Sequence, residues 1–124
     1  MYFVDANVLT QAFTENPNQE NCRKILFSEC VTNTLCLIEA FSIIYLIKKD
    51  KIYATNCIKS LFKTNCIIVD LDRNLLFESF KRMDKTHLDI FDLIHYTTAL
   101  INNCSEFVSY DKDFDGLEIK RIEP

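Results

Sequence analysis

The sequence has a single glycine, Gly116, and only two prolines, Pro17 and Pro124. Gly-rich phosphate loops need several glycines so that the backbone can approach the phosphates, so P-loop and Rossmann fingerprints are excluded. Long hydrophobic runs are also missing. The longest near-apolar stretch, Leu35 to Ile47, contains Glu39 and is too short to span a bilayer. No basic segment precedes the first apolar run, so no secretory leader is expected and the chain reads as cytoplasmic. Positive charge is in deficit, with a net charge of -4, which argues against an ordinary basic nucleic-acid binder. The six cysteines (Cys22, Cys30, Cys36, Cys57, Cys66, Cys104) form no C-x-x-C pair and have no nearby histidine pattern, which argues against a zinc site. Most lie among apolar residues and read as small core hydrophobes. A disulfide is expected only for a hyperthermophile source.

What is present suits one ordinary globular domain over residues 1–124, with 48% hydrophobic and 26% charged residues. Tyr2 to Val4 reads as a buried strand, followed by a short helix at Val8 to Phe13 and another at Gln19 to Phe27. Cys30 to Asn33 reads as a strand. Thr34 to Lys49 is a long apolar helix capped by Asn33 or Thr34, and Ile52 to Lys63 repeats helical spacing. Cys66 to Val69 is strand-like, and Asp70 or Asp72 caps a helix from Arg73 to Met83. Leu88 to Asn102 is helical, Phe107 to Ser109 a strand, and Leu117 to Ile122 a last strand. Strands alternating with helices predict an α/β fold: a three-layer α/β/α sandwich with a central parallel sheet of four or five strands.

Four carboxylates occupy settings that do not suit solvated surface charge. Asp5 ends the first strand, where open α/β sheets bind ligands. Glu39 lies in the most apolar helix, although glutamate is almost never fully buried unless paired. Asp92 sits in Ile90-Phe91-Asp92-Leu93-Ile94, near a helix start. Asp111 follows the strand Phe107-Val108-Ser109, with Asp113 two residues on. Each has a plainer explanation: Asp5 as a helix cap, Asp92 favouring the helix dipole, Asp111 and Asp113 as turn residues, Glu39 paired with one buried base. If they converge, the carboxylates repel one another and raise each other's pKa, a conflict that a divalent cation removes. Oxygen-only ligands suit Mg²⁺ or Mn²⁺. On charge repulsion alone, a neutral amide at position 5 is expected to leave the metal-free fold intact or more stable.

Val4-Asp5-Ala6-Asn7-Val8, Thr34 five residues before Glu39, Asp92-Leu93-Ile94 with Ala99, and Ser109-Tyr110-Asp111-Lys112-Asp113-Phe114 together resemble the ordered acidic motifs of PIN-domain ribonucleases. The match is most like the small VapC-type toxins of toxin–antitoxin pairs and runs from Tyr2 to Phe114. Asp70-Leu71-Asp72-Arg73 is similar to the family's usual segment there. Ala6 departs from the hydroxyl residue common at its place, and His95 and Tyr96 stand where small or aliphatic residues are usual. The resemblance implies that Asp5, Glu39, Asp92 and Asp111 hold the metal, with Asn7 and Ser109 in support and Asp113 as the alternative to Asp111. It also implies in-line hydrolysis of RNA phosphodiesters and a possible antitoxin partner.

Setting five acids aside (Asp5, Glu39, Asp92, Asp111, Asp113) leaves 13 of the 18 against 14 bases, which weakens the charge objection. Lys48, Lys49 and Lys51, Lys81, Arg82 and Lys85, and Lys120 with Arg121 are candidates for an RNA path, although a solvated face explains each cluster more simply. His95, one turn past Asp92, reads as a hydrogen-bonded structural histidine, and His87 as exposed. The 34–49 helix is apolar nearly all round, which predicts a homodimer or another protein partner. Two other functions compete: a receiver-like signalling domain with an acidic Mg²⁺ pocket, in which Asp70 accepts the phosphoryl group, and a PIN fold that only binds or assembles.

Overall fold

The computed structural model describes all residues, 1–124. Its elements in chain order are β1 (Tyr2–Val4), α1 (Ala6–Ala12), α2 (Gln19–Leu26), β2 (Cys30–Asn33), α3 (Thr34–Lys48), α4 (Lys51–Leu61), β3 (Ile67–Val69), α5 (Arg73–Phe80), α6 (Ile90–Ile101), β4 (Glu106–Val108) and β5 (Lys120–Ile122). The five strands form one sheet in the order β3-β2-β1-β4-β5, and every neighbouring pair is parallel. From β1 to β3 the chain steps outward in one direction, then returns to add β4 beside β1. Right-handed crossovers therefore place α1 to α4 on one face and α5 with α6 on the other. The expected sandwich is the observed one, with five strands.

Strands covered on both faces should read as continuous apolar runs. Phe3, Val4, Val31, Phe107 and Val108 are fully buried. A column of aromatic rings ties the centre together: Phe107 stacks on Phe3 at 4.8 Å and on Phe114 at 4.2 Å between centroids. The edge strand β3 leaves Ile67 exposed. All six cysteines are free and buried, so they serve as small core residues, and no disulfide is present. No helix is long and apolar enough to cross a membrane.

Capping explains where element boundaries differ from expectation. Asp5 caps α1 by accepting from the Ala6 amide, so the helix starts at Ala6 rather than Val8. Asn33, not Thr34, caps α3, and Asp72, not Asp70, caps α5. The Thr34 hydroxyl accepts from the Leu71 amide instead, tying the start of α3 to the segment after β3. Asp89 caps α6, which begins at Ile90, two residues later than expected. After Phe80 the chain passes into turns instead of continuing the helix to Met83. The last strand is confined to Lys120–Ile122, because residues 117 to 119 approach as a loop whose Ile119 amide donates to the Tyr96 hydroxyl.

Candidate active site

The strand order reverses at β1 and β4, and ligands of open α/β sheets bind beyond the carboxyl ends of the strands at such a switch point. A cleft of about 740 Å³ opens there, and Asp5, Asn7, Glu39, Asp92, His95 and Asp111 are among its lining residues. All four carboxylates singled out from the sequence therefore face one cleft. They come from four elements: the end of β1, the second turn of α3, the first turn of α6 and the loop after β4.

Asp5 is the best-anchored of the four. Its Oδ1 accepts from the Ala6 amide at 2.8 Å. Its Oδ2 accepts from the Ser109 hydroxyl at 2.7 Å and from Asn7 Nδ2 at 3.4 Å. Ser109 Oγ in turn accepts from Asn7 Nδ2 at 3.1 Å and from the Asp111 amide at 3.0 Å, so its own hydrogen is committed to Asp5. The two strand ends are thereby locked together through polar groups. Burial nevertheless holds the Asp5 carboxyl above its ordinary pKa, outweighing the lowering influence of His95, Ser109 and Ala6. Asp5 is thus both the helix cap and a residue of the cleft.

Asp92 is the opposite case, because its carboxylate has no hydrogen-bond donor while its amide donates to Asp89 Oδ1 at 2.9 Å. Burial, and then the negative charges of Asp89, Asp5 and Asp111, push it up to about 7. Oxygens of Asp92, Asp111 and Asp113 lie within 4.8 Å of one another. Asp111 Oδ1 also accepts from the Asp113 amide at 2.9 Å, an Asx turn that brings the two side chains together. The sequence posed Asp111 and Asp113 as alternatives, but the fold places both beside Asp92.

Glu39 does meet a buried base. His95, only 1% exposed, places Nε2 at 2.5 Å from Glu39 Oε1, while the Glu39 side chain keeps 37% of its surface. Asn33 and Cys36 lie on the other side of the ring, with Asn33 Nδ2 at 3.0 Å and Cys36 Sγ at 3.3 Å from Nδ1. Burial raises the Cys36 thiol, which argues against its being a nucleophile. Burial pulls the imidazole down, but the hydrogen bond to Glu39 and the charge of Asp5 oppose it and raise it above its ordinary value. The sequence pointed to His95 as hydrogen-bonded, yet its partner lies 56 residues away and carried no local signal.

The sequence profile of the PIN domain family matches residues 2–120. The chain belongs to the PIN domain family. Among solved structures, this PIN domain is similar to VapC20 of Mycobacterium tuberculosis, described as a sarcin-ricin loop cleaving toxin. The two share 13% identity and a TM-score of 0.82, with both chains covered completely. It is also similar to a chain of a toxin–antitoxin complex from Klebsiella pneumoniae, at 14% identity and a TM-score of 0.77, covering 100% of this chain and 98% of that one. A third match is VapBC2 of Rickettsia felis bound to a promoter DNA fragment, at 16% identity, a TM-score of 0.69, and 98% and 97% coverage. Compared with curated protein sequences, the chain matches none. Asp70 is exposed after the edge strand β3 and is not among the residues lining the cleft, so the receiver-like reading has no phosphoacceptor there.

Half of the eight basic candidates are already engaged. Lys81 and Arg82 pair with Glu78, Arg121 with Asp115 and Glu123, and Lys48 with Glu15. Exposed pairs of this kind contribute little stability, and the arrangement favours solvated faces over a dedicated RNA track. His87 is exposed, as expected, but its Nε2 contacts the Asp113 carbonyl at 2.7 Å, which ties the loop before α6 to the acidic turn.

Proposed function

We propose that this PIN domain is an endoribonuclease dependent on Mg²⁺ or Mn²⁺, with Asp92, Asp111 and Asp113 within reach of one cation and Asp5 and Glu39 completing the site from the same cleft. The observation that carries the reading is Asp92: a half-buried carboxylate without a donor, faced by Asp111 and Asp113 within 4.8 Å. Oxygen contacts to hard cations run at about 2.0–2.6 Å, so one ion spans oxygens roughly twice that distance apart. The cleft side of the set offers oxygens, which fits Mg²⁺ or Mn²⁺ better than softer metals. When bound, such a cation activates water and offsets charge on the phosphoryl oxygens.

The chain's own residues divide the remaining work. Asp5, fixed by Ala6, Ser109 and Asn7, supplies a rigid carboxylate at the base of the cleft. Asp92 has no donor of its own and is free to align the attacking water or accept its proton. Ser109 and Asn7 keep the β1 and β4 ends in register, so that the groups from the two strand ends stay at reacting distance.

The named neighbours are toxins or toxin–antitoxin assemblies, and we extend an antitoxin partner and a toxin role to this chain. The apolar surface of α3 and α4 supports a protein partner, including a second copy. Ile38 is 63% exposed, Leu46 70% and Phe62, just past the end of α4, 64%, and apolar patches left in solvent mark interaction sites. The decisive assay incubates the purified protein with mixed-sequence RNA in Mn²⁺, Mg²⁺ or EDTA and sequences the new ends. Cleavage at discrete sites with either cation and none in EDTA is expected. Intact RNA in Mn²⁺, or equal cleavage in EDTA, would refute the reading.

A further inference from the structure

We propose that His95 is the positioning residue for Glu39: its Nε2–H holds Glu39 Oε1, so that the other carboxylate oxygen is presented to the cleft. The inference rests on the reading of the cleft as a cation site. Glutamate has a long side chain with several rotors, and Glu39 is partly exposed where α3 borders the cleft. Left alone it would sample many rotamers, and a ligand must be ordered before it binds. Oε1 accepts from His95 Nε2 at 2.5 Å, whereas Oε2 has no hydrogen-bond partner.

The ring is itself held so that Nε2 carries a hydrogen. Asn33 Oδ1 caps α3 by accepting from the Cys36 amide at 2.8 Å, which fixes the amide orientation. Its Nδ2 then faces His95 Nδ1 and Thr98 Oγ1, both at 3.0 Å. The Thr98 hydroxyl gives its hydrogen to the Ile94 carbonyl at 2.7 Å, so it accepts from Asn33. Both Asn33 hydrogens are thereby assigned, one of them to Nδ1. In the neutral ring the proton must reside on Nε2; in the charged ring Nε2 is protonated as well, and the Nδ1 hydrogen turns from Asn33 to the Cys36 sulfur, 3.3 Å away. Glu39 receives a donor in either state. Phe3 stacks on the imidazole at 6.1 Å between centroids, and burial keeps water from competing.

With both ring nitrogens engaged, His95 is not a ligand. It stands behind one, as groups that orient metal-bound carboxylates commonly do. A helix cap, Asn33, is thus linked through one imidazole to a carboxylate of the cleft.

The test measures the Mn²⁺ dissociation constant from the free-ion EPR signal for the wild type, His95→Leu, His95→Gln and Glu39→Gln. His95→Leu should weaken Mn²⁺ binding by about ten- to a hundredfold. His95→Gln retains a donor amide and should stay within about threefold. Combining His95→Leu with Glu39→Gln should be no worse than the poorer single variant, because both remove one arrangement. In cleavage assays the His95→Leu defect should appear in kcat, leave KM for RNA unchanged, and recover at high Mn²⁺. A second measurement needs no variant to fold: the ¹⁵N-resolved Nε2–H signal of wild-type His95 should move on adding Mg²⁺. A folded His95→Leu that binds Mn²⁺ like the wild type overturns the proposal, as does an Nε2–H signal indifferent to saturating Mg²⁺. A wild type that binds no Mn²⁺ sinks the nuclease reading beneath it, whereas an indifferent His95 in a Mn²⁺-binding wild type sinks this proposal alone.

Discussion

Replacing Asp92 with asparagine should stabilise the metal-free protein, and only above mildly acidic pH. The carboxyl is raised from 3.8 to about 7 by burial first and by Asp89, Asp5 and Asp111 next. A carboxyl whose folded pKa is raised contributes its full stability below the unfolded value and loses it as pH climbs through the folded value. The wild type should therefore weaken between about pH 4 and pH 7, the interval between the two values, and stay weakened above it. Taken whole, the shift corresponds to ~4 kcal/mol at 1.36 kcal/mol per pH unit. Asp92 is only half-buried and lies in the first turn of α6, so solvent screening and the helix dipole reduce this to about 1–2 kcal/mol. For a chain of this size that means a Tm gain of roughly 3–10 °C at pH 8 in EDTA. Near pH 4 the gain should vanish. Saturating Mg²⁺ should reverse the order, because the wild type gains stability from the ion and the variant does not. Thermal unfolding by circular dichroism across pH, with and without Mg²⁺, reads all of this. A variant that melts lower than the wild type at pH 8, or gains equally at pH 4 and pH 8, would refute the account of Asp92 as an uncompensated charge.

Asp5→Asn should act differently: its amide would set hydrogens against the Ser109 hydroxyl and the Asn7 amide, which are already committed donors. A loss of about 1–2 kcal/mol is expected in denaturant titrations, along with at least a roughly hundredfold loss of metal-dependent cleavage. Normal cleavage would reduce Asp5 to a helix cap. Phe107→Ala removes the ring between Phe3 and Phe114 and should cost about 3–5 kcal/mol, and a loss below about 1 kcal/mol in urea unfolding would contradict the packing argument. Leu46→Glu on the exposed side of α3 should lower the solution mass by light scattering without lowering Tm, and an unchanged mass would move the partner surface elsewhere.

The elements legible from sequence were those in which one local pattern settled the matter. Short apolar runs ending in an acid, an asparagine or a serine gave β1, β2 and β4, because burial on both faces demands apolar residues and the strand end demands a polar one. The same logic placed Asp5 and Asp111 at strand ends, and the sheet order makes those ends neighbours. Helix starts were less clear, since Asp5, Asn33 and Asp89 cap helices while their side chains also resemble loop or site residues. Against the expectation that neutralising Asp5 relieves repulsion the fold sets a cost of its own, for a related reason. Repulsion depends on the neighbours' charges, which the sequence listed, but the cost of an amide depends on which donors point at it. Those donors come from Ser109 and Asn7, separated by 102 residues and brought together by the pairing of β1 with β4.

Glu39 carries the argument furthest. In the sequence it was an acid in an apolar helix, explained either by a cation or by one buried base, as though these excluded each other. The fold supplies the base without closing the cleft: His95 engages one oxygen, and the carboxylate still lines the cavity beside Asp5 and Asp92. A buried pair and a metal ligand are compatible because a carboxylate has two oxygens and about four acceptor positions. The distinction between a structural and a functional acid is therefore not a property of the residue. It is settled by how many of those positions the fold leaves open, which is two full oxygens at Asp92, one at Glu39 and none without a donor at Asp5. Asp92 should accordingly dominate cation affinity and Asp5 the rigidity of the site. That ordering is readable from the Mn²⁺ dissociation constants and metal-free melting temperatures of the three single amide variants, and a variant set in which Asp5→Asn weakens Mn²⁺ binding more than Asp92→Asn would reverse it.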